Sequence, residues 1–142
     1  MQNNHSFIFL DGAFQKNSET SISPYGQTLH YGYGVFEGIR AYKTPHGPSI
    51  FKAREHFERL RYSAEVMHIE LPYSVDQLIN LSYQLLEMNQ LEDAYIRPLV
   101  YLGDELHLTP SSDVHVFIAA WSWDKYLGHE LVRVMTSPYP AP

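Results

Sequence analysis

The spacing of apolar residues along the chain predicts two helices. In residues 53–67 the apolar positions recur at every third or fourth residue, with charged residues between them. These positions are Phe57, Leu60, Ala64 and Met67. A second helix is predicted to begin at Ser74, because Gln77 stands three residues later in the pattern of a capping box. Its apolar stripe consists of Leu78, Leu81, Leu85 and Met88, and residues 89–93 end it.

Shorter apolar segments predict about six strands. The dipeptide Asp11-Gly12 is a strong hairpin signal, and the apolar segments on either side of it are Phe7–Leu10 and Ala13–Lys16. Residues 35–43 and 49–51 are predicted to form a second hairpin around a loop with two prolines and a glycine. Two longer apolar runs predict central strands. They are Ala94–Leu102 and Val114–Trp121.

The remaining segments link these elements. Residues 17–25 and 103–113 are polar and rich in turn residues, so they predict loops. Residues 28–33 form either one helical turn or an irregular segment, and residues 131–136 form a last strand or an extended segment. We therefore expect an α+β fold, in which an antiparallel sheet of about six strands packs with two main helices.

Composition excludes several classes of function. A net charge of −6 argues against a nucleic-acid or anionic-membrane binder, and no apolar run has the length of a membrane-spanning helix. The chain has no cysteine, which excludes disulfides and fits a cytoplasmic protein. None of its eight histidines stands in a metal-binding pattern such as H-E-x-x-H, so no metal site is expected.

One stretch, LHYGYGVFEGIR at residues 29–40, combines three glycines with three aromatic residues. Its G-x-G-x-x-x-G spacing leads into a strand, which excludes the dinucleotide-binding G-x-G-x-x-G turn. Tyr31, Tyr33 and Phe36 project from it. They form either a wall for a flat ligand or part of the core.

Two arginines have both a functional and a structural interpretation. Arg54 opens the first helix, where it either binds a phosphate or pairs with Glu58 one turn later. Arg97 lies two residues after Tyr95 in a strand, so both side chains face the same side of the sheet. This pair either binds a carboxylate or phosphate, or Arg97 forms an internal ion pair with Glu37 or another acid. Arg40 is expected to be structural.

Aromatic residues cluster after the last long strand. Trp121, Trp123 and Tyr126 either line a pocket or close the edge of the core.

Four motifs together resemble the branched-chain aminotransferases, which are fold-type IV enzymes that use pyridoxal phosphate. The motifs are H-Y-G-x-G-V-F-E-G-I-R at residues 30–40, F-x-x-R-E-H-x-x-R-L at 51–60, A-Y-I-R-P-L at 94–99 and W-x-x-Y-L-G at 123–128. The resemblance runs from about Phe7 to the C-terminus and covers the family's small N-terminal domain.

The resemblance implies a role for nine residues. Arg54 would contact the cofactor phosphate, and Arg97 would bind the side-chain carboxylate of glutamate. Phe36, Tyr95, Trp123 and Tyr126 would line the substrate pocket, and Gly38 would allow close approach. Tyr31 and Leu108 would reach the active site of a partner subunit, Leu108 from a loop one residue shorter than the family's.

The reaction implied is transfer of the amino group of leucine, isoleucine or valine to 2-oxoglutarate, giving branched-chain 2-oxo acids and glutamate. Its Schiff-base lysine lies on the family's large C-terminal domain, and the chain's four lysines occupy no equivalent place. They are Lys16, Lys43, Lys52 and Lys125. We therefore expect residues 1–136 to form the small domain and residues 137–142 to begin the linker to an absent large domain. The chain alone would be inactive, and the complete enzyme would be a homo-oligomer.

Two alternatives remain open. The chain is also interpretable as a stand-alone dimerisation or binding module, because its tyrosine-rich face would lack the large domain's cover. Within the fold type, D-amino-acid aminotransferases and aminodeoxychorismate lyases are alternatives. The strings V-F-E-G-I-R and A-Y-I-R-P-L favour the branched-chain branch.

Overall fold

The computed structural model describes residues 6–103, 106–109, 111–123 and 133–136. In these residues the chain forms seven strands, three α-helices and one short 3-10 helix at Asn17–Glu19. The strands are β1 (Phe7–Leu10), β2 (Ala13–Lys16), β3 (Gly34–Phe36), β4 (Ile39–Thr44), β5 (Gly47–Ile50), β6 (Ala94–Leu102) and β7 (Val114–Trp121). The α-helices are α1 (Gln27–Tyr31), α2 (Ala53–Val66) and α3 (Val75–Met88).

The strands form one antiparallel sheet with β6 at its centre. Its order is β2-β1-β7-β6-β4-β5, and β3 also pairs with β6. Leu10 faces Ala13 across the turn at Asp11 and Gly12, so the first hairpin has the predicted bounds. Both turn residues have positive φ, as a two-residue hairpin turn requires.

Strand β6 shows how the sheet divides core from solvent. Its even-numbered residues are buried and its odd-numbered residues are only half-buried. The buried face packs against α2 and α3, whose Phe57, Leu60, Leu78 and Leu85 belong to the same core cluster. The other face presents four side chains that the helices do not cover. They are Tyr95, Arg97, Leu99 and Tyr101.

Most predicted elements are confirmed. The capping box at Ser74 has both of its hydrogen bonds, from the Gln77 N–H to the serine hydroxyl at 3.2 Å and from the Ser74 N–H to the glutamine side chain at 2.7 Å. The α+β architecture with two main helices is also confirmed, with seven strands where about six were predicted. In the described part of residues 131–136, which is 133–136, the backbone forms no strand.

Three local predictions were wrong. The single strand predicted at 35–43 is two strands, because the chain bends at Glu37 and Gly38. Strand β5 begins earlier than predicted, at Gly47, and an edge strand tolerates its proline at position 48 because no partner needs that N–H. Met88 is exposed, and Leu86 lies in the core instead.

Within the described residues, no helix combines the length and apolar character needed to cross a membrane.

Candidate functional site

The open face of the sheet carries a cluster of three aromatic rings, Tyr95, Trp121 and Trp123. Tyr95 and Trp121 are register partners on β6 and β7, so their side chains share a face. The Tyr95 ring centroid lies 5.0 Å from that of Trp121 and 4.9 Å from that of Trp123. These two ring contacts hold the Tyr95 ring in place on the open face of the sheet.

Arg97 lies beside this cluster. Its Nη2 donates a hydrogen bond to the Tyr95 hydroxyl at 2.7 Å, and its Cζ lies 4.3 Å from the ring centroid of Phe36 on β3. Its Nε is buried and, among the described residues, has no hydrogen-bond partner. The guanidinium is therefore oriented by two aromatic neighbours, and its buried Nε is left without a partner among the described residues.

Gly38 makes room for this arrangement. A Cβ built at this position would collide with the Tyr95 hydroxyl and would lie 3.1 Å from the ring carbon that bears it. Any larger residue would force a shift of the Tyr95 hydroxyl, which accepts the hydrogen bond from Arg97. The backbone at Gly38 and the tyrosine hydroxyl are thus in direct contact.

Glu37 belongs to a separate group, which we call the Glu37 cluster: Glu37, His56 and Arg59. Glu37 is only 5% exposed. Arg59 donates to it from Nε at 2.5 Å and from Nη2 at 2.6 Å, and the His56 Nδ1 lies 2.9 Å from it. Burial alone would raise the pKa of Glu37, but the hydrogen bonds and charges of Arg59 and His56 outweigh it and lower the pKa below 4.5. Among the described residues, the predicted alternative of an Arg97–Glu37 ion pair is therefore wrong.

Arg54 lies at the start of α2 and not in the aromatic cluster. Its Nη2 is 2.5 Å from the Asp76 carboxylate in the first turn of α3, and its Nη1 is 4.0 Å from Glu58. The residue that precedes the helix, Lys52, provides no side-chain cap. The sequence indicated Glu58 as the structural partner; the structure adds Asp76, which is much closer.

Tyr31 and Leu108 lie on a third unit, formed by α1 with residues 106–109 and 111. Gln27, the first residue of α1, donates from Nε2 to the carbonyl oxygens of His107 and Thr109 at 2.7 and 2.8 Å. Its Oε1 accepts from the Ser111 N–H at 2.8 Å. Tyr31 and Leu108, which were both predicted to face a partner subunit, therefore lie on two segments that the Gln27 side chain joins by hydrogen bonds.

The structure thus brings together Phe36, Gly38, Tyr95, Arg97 and Trp123, and Tyr126 lies outside the described residues. Sequence reasoning missed Gln27, His56 and Arg59. His56 and Arg59 stand in the motif at residues 51–60, but their contact with Glu37 is distant along the chain. Gln27 stands in none of the four motifs, and its side-chain partners are also distant. In the described residues, no group of three or more histidine, aspartate or glutamate side chains is placed to hold a metal ion.

Comparison with known proteins decides the family. Residues 34–142 match the family model described as Amino-transferase class IV. The chain belongs to this family. The class IV aminotransferases that it matches include the branched-chain-amino-acid aminotransferase of Pseudomonas aeruginosa, which is 41% identical over 145 residues. The corresponding Escherichia coli K12 protein is 36% identical over 130 residues. The resemblance drawn from the four motifs is confirmed.

The chain spans less than half the length of these class IV relatives. The match covers 98% of this chain and 47% of the P. aeruginosa protein, and 89% of this chain and 42% of the E. coli protein. The fold agrees with solved structures. The crystal structure of the E. coli enzyme gives a TM-score of 0.84 at 36% identity, and covers 89% of this chain with 42% of its own. The T.th. branched-chain amino acid aminotransferase, complexed with N-(5'-phosphopyridoxyl)-L-glutamate, gives 0.81 at 38% identity, over 86% of this chain and 42% of its own.

Proposed function

We propose that this chain is the small, substrate-side domain of a pyridoxal-phosphate-dependent branched-chain aminotransferase. Leucine, isoleucine or valine would donate an amino group to 2-oxoglutarate. The observation that carries the proposal is Arg97, which is held on an open aromatic face with a buried donor unused. The branched-chain aminotransferases among its relatives support the choice of substrates.

One face would serve two kinds of side chain. Arg97 would bind the distal carboxylate of glutamate through paired N–H donors, while the Tyr95 hydroxyl keeps the guanidinium in place. Phe36, Tyr95 and Trp123, with Tyr126, would contact the aliphatic side chain of leucine, isoleucine or valine. Gly38 would leave room for the Tyr95 hydroxyl beside the substrate. Both amino acids must fit here, because glutamate and the branched-chain substrate use the same site in turn.

The described residues fit one side of a pyridoxal phosphate site. Arg54 is exposed and already holds a carboxylate at 2.5 Å, so its guanidinium can reach an anion at this position. It opens a helix without a side-chain cap, where backbone N–H groups also favour a phosphate. The bound cofactor would supply the electron sink for transamination. Arg54 would hold its phosphate, sharing or releasing Asp76.

The lysine that transamination requires would come from a second domain. Lys16, Lys43 and Lys52 are each exposed, and each lies within 4 Å of a surface glutamate. The hydrogen bond and charge of Glu92 raise the pKa of Lys43, whereas a nucleophilic amine needs a lowered one. Lys125 lies outside the described residues. The chain alone would therefore be inactive.

The remaining parts of the proposal concern organisation. Residues 1–136 would form the small domain, and residues 137–142 would begin the linker to the large domain. Tyr31 and Leu108 would enter the active site of a second subunit in a homo-oligomer. The complete enzyme would be cytoplasmic.

Borohydride reduction of this chain mixed with pyridoxal phosphate tests the proposal that the Schiff-base lysine comes from another domain. The purified chain is mixed with pyridoxal phosphate, and binding is followed by visible absorbance. The mixture is then reduced with borohydride, and the mass of the intact chain is measured by mass spectrometry. We expect no stoichiometric adduct, because no described lysine lies in a site that would favour one. A single adduct on one mapped lysine would contradict the proposal and identify the nucleophile.

A second candidate function is a self-pairing module without catalysis. The exposed apolar side chains of α1 and of the loop that carries Leu108 favour it. Leu29, Tyr31, Leu106 and Leu108 are all exposed. This function predicts a concentration-dependent dimer in light scattering without any large domain. A monomer at all concentrations would exclude it.

A further inference from the structure

Gln27 is a fully buried side chain whose polar atoms are all satisfied. It is 0% exposed, and its three hydrogen bonds to residues 107, 109 and 111 measure 2.7 to 2.8 Å. Carbonyl oxygens only accept and a backbone N–H only donates, so these partners determine which way the amide points. Only a neutral primary amide of this length supplies two donors and one acceptor at these positions.

The same residue anchors the helix to the loop through its backbone. The Gln27 N–H donates to the Gly103 carbonyl at 3.1 Å, and the Gly103 N–H donates to Asp113 at 2.9 Å. The α1 helix has only five residues, and Gln27 is the first of them. Helix and loop are therefore tied at several points around Gln27.

Leu108 has a fixed backbone and an exposed side chain. The carbonyl groups before and after it, at His107 and Thr109, both bond to Gln27. Its side chain, in contrast, is 83% exposed. Pinning a backbone by buried hydrogen bonds has no benefit for a freely solvated leucine, but it lowers the entropy cost of an apolar contact with another surface.

We infer that Gln27 is a positioning residue, which fixes the backbone at His107, Thr109 and Ser111 so that Leu108 is presented in a fixed place for contact with the branched-chain substrate. The destination of Leu108 rests on the proposed function. The loop geometry does not. Gln27 touches neither substrate nor cofactor and acts only through Leu108.

Amide exchange tests the geometry in the 142-residue chain. Gln27→Leu keeps the volume and removes all three bonds, so exchange of the Ser111 amide, followed by NMR, is expected to rise about tenfold or more. Gln77→Leu is the matched control, because it removes the same amide from the capping box of α3. It lowers stability without accelerating Ser111 selectively. Unchanged Ser111 exchange in a folded Gln27→Leu variant would overturn the inference.

Kinetics test the role. Each variant is combined with the separately expressed large domain of the E. coli enzyme and pyridoxal phosphate. Gln27→Leu is expected to raise KM for leucine about tenfold, as loss of one apolar contact does, with KM for glutamate and kcat nearly unchanged. In a Leu108→Ala background the same change should have less than about a twofold effect, because both substitutions remove one contact.

The outcomes separate the two proposals. Additive effects of Gln27→Leu and Leu108→Ala, or equal losses with leucine and glutamate, would overturn the positioning role. No turnover by a wild-type mixture in which the two domains associate would overturn the proposed function, and with it the destination of Leu108. The Ser111 exchange result would still decide the loop geometry.

Discussion

Arg59→Ala is expected to lower the free energy of unfolding by about 2 kcal/mol, although Arg59 is a surface residue. Its side chain is 63% exposed, and an ordinary surface ion pair is worth about 1 kcal/mol or less. The difference lies in its partner, because the Glu37 carboxylate is buried and depends on Arg59 for two of its hydrogen bonds.

The magnitude follows from these contacts. A hydrogen bond to a charged group contributes about 1.5–3 kcal/mol, and a buried group left without its partner has a desolvation cost of similar size. Exposure of the guanidinium reduces the first contribution, and His56, 2.9 Å from the carboxylate, limits the second. About 2 kcal/mol remains, which corresponds to a shift of about 1 M in a urea midpoint.

The assay is urea unfolding at pH 7, followed by the fluorescence of Trp121 and Trp123. Arg61→Ala is the matched control, since Arg61 is exposed on the same helix and has no ion pair among the described residues. Its effect should stay within about 0.5 kcal/mol. An Arg59→Ala variant as stable as Arg61→Ala would refute the reasoning.

The same cluster has a defined pH dependence. Arg59 and His56 lower the pKa of Glu37 from 4.5, so the contribution of the carboxylate is present above 4.5 and is lost as pH falls through the lower, folded value. The stability difference between wild type and Glu37→Gln should therefore be constant near neutral pH and shrink on acidification below 4.5. A difference that grows on acidification would contradict this sign.

Three further predictions concern other contacts. Gly38→Ala should lower the free energy of unfolding by about 1–3 kcal/mol and change the near-UV circular dichroism of the aromatic cluster, because Tyr95 must move. Gly26→Ala is the control. Its Cβ would meet its neighbours at ordinary distances of 3.5 Å or more, so it should leave that spectrum unchanged. Ser74→Ala should cost about 1 kcal/mol in thermal unfolding, as loss of an N-cap does, and no loss would contradict the capping box. The His115 ring lies 2.6 Å from the Asp11 carboxylate and 3.1 Å from that of Asp113. Burial lowers the pKa of His115, but these two aspartates outweigh it and raise the pKa above 6.5. Wild type should therefore exceed His115→Gln in stability below pH 6.5 and lose this advantage at alkaline pH, and an advantage that grows with pH would refute the assignment.

The sequence predicted correctly those turns and helix starts that depend on neighbouring residues. The turn at Asp11-Gly12 and the Ser74 capping box depend on residues within four positions of each other, and both predictions are confirmed. The Tyr95–Arg97 pair followed from strand alternation alone, since residues two apart share a face.

Contacts distant along the chain limited the rest. The β-branched character of residues 35–43 predicted one strand, but the bond between Glu37 and Arg59, 22 residues later, accompanies a bend that splits it. The Gln27 side chain bonds to residues 80 or more positions away, so nothing near it in the sequence distinguishes it from a surface glutamine. Arg54 was assigned a partner within its own helix, whereas Asp76 on α3 lies closer.

Leucine and 2-oxoglutarate transamination tests the central claim most directly. Turnover is measured for this chain, for the separately expressed large domain of the E. coli enzyme, and for their mixture with pyridoxal phosphate. The account predicts turnover by the mixture alone, and predicts that Arg97→Met in the mixture impairs the glutamate half-reaction far more than the leucine half-reaction. Turnover by this chain alone, or an associated mixture that remains inactive, would contradict it.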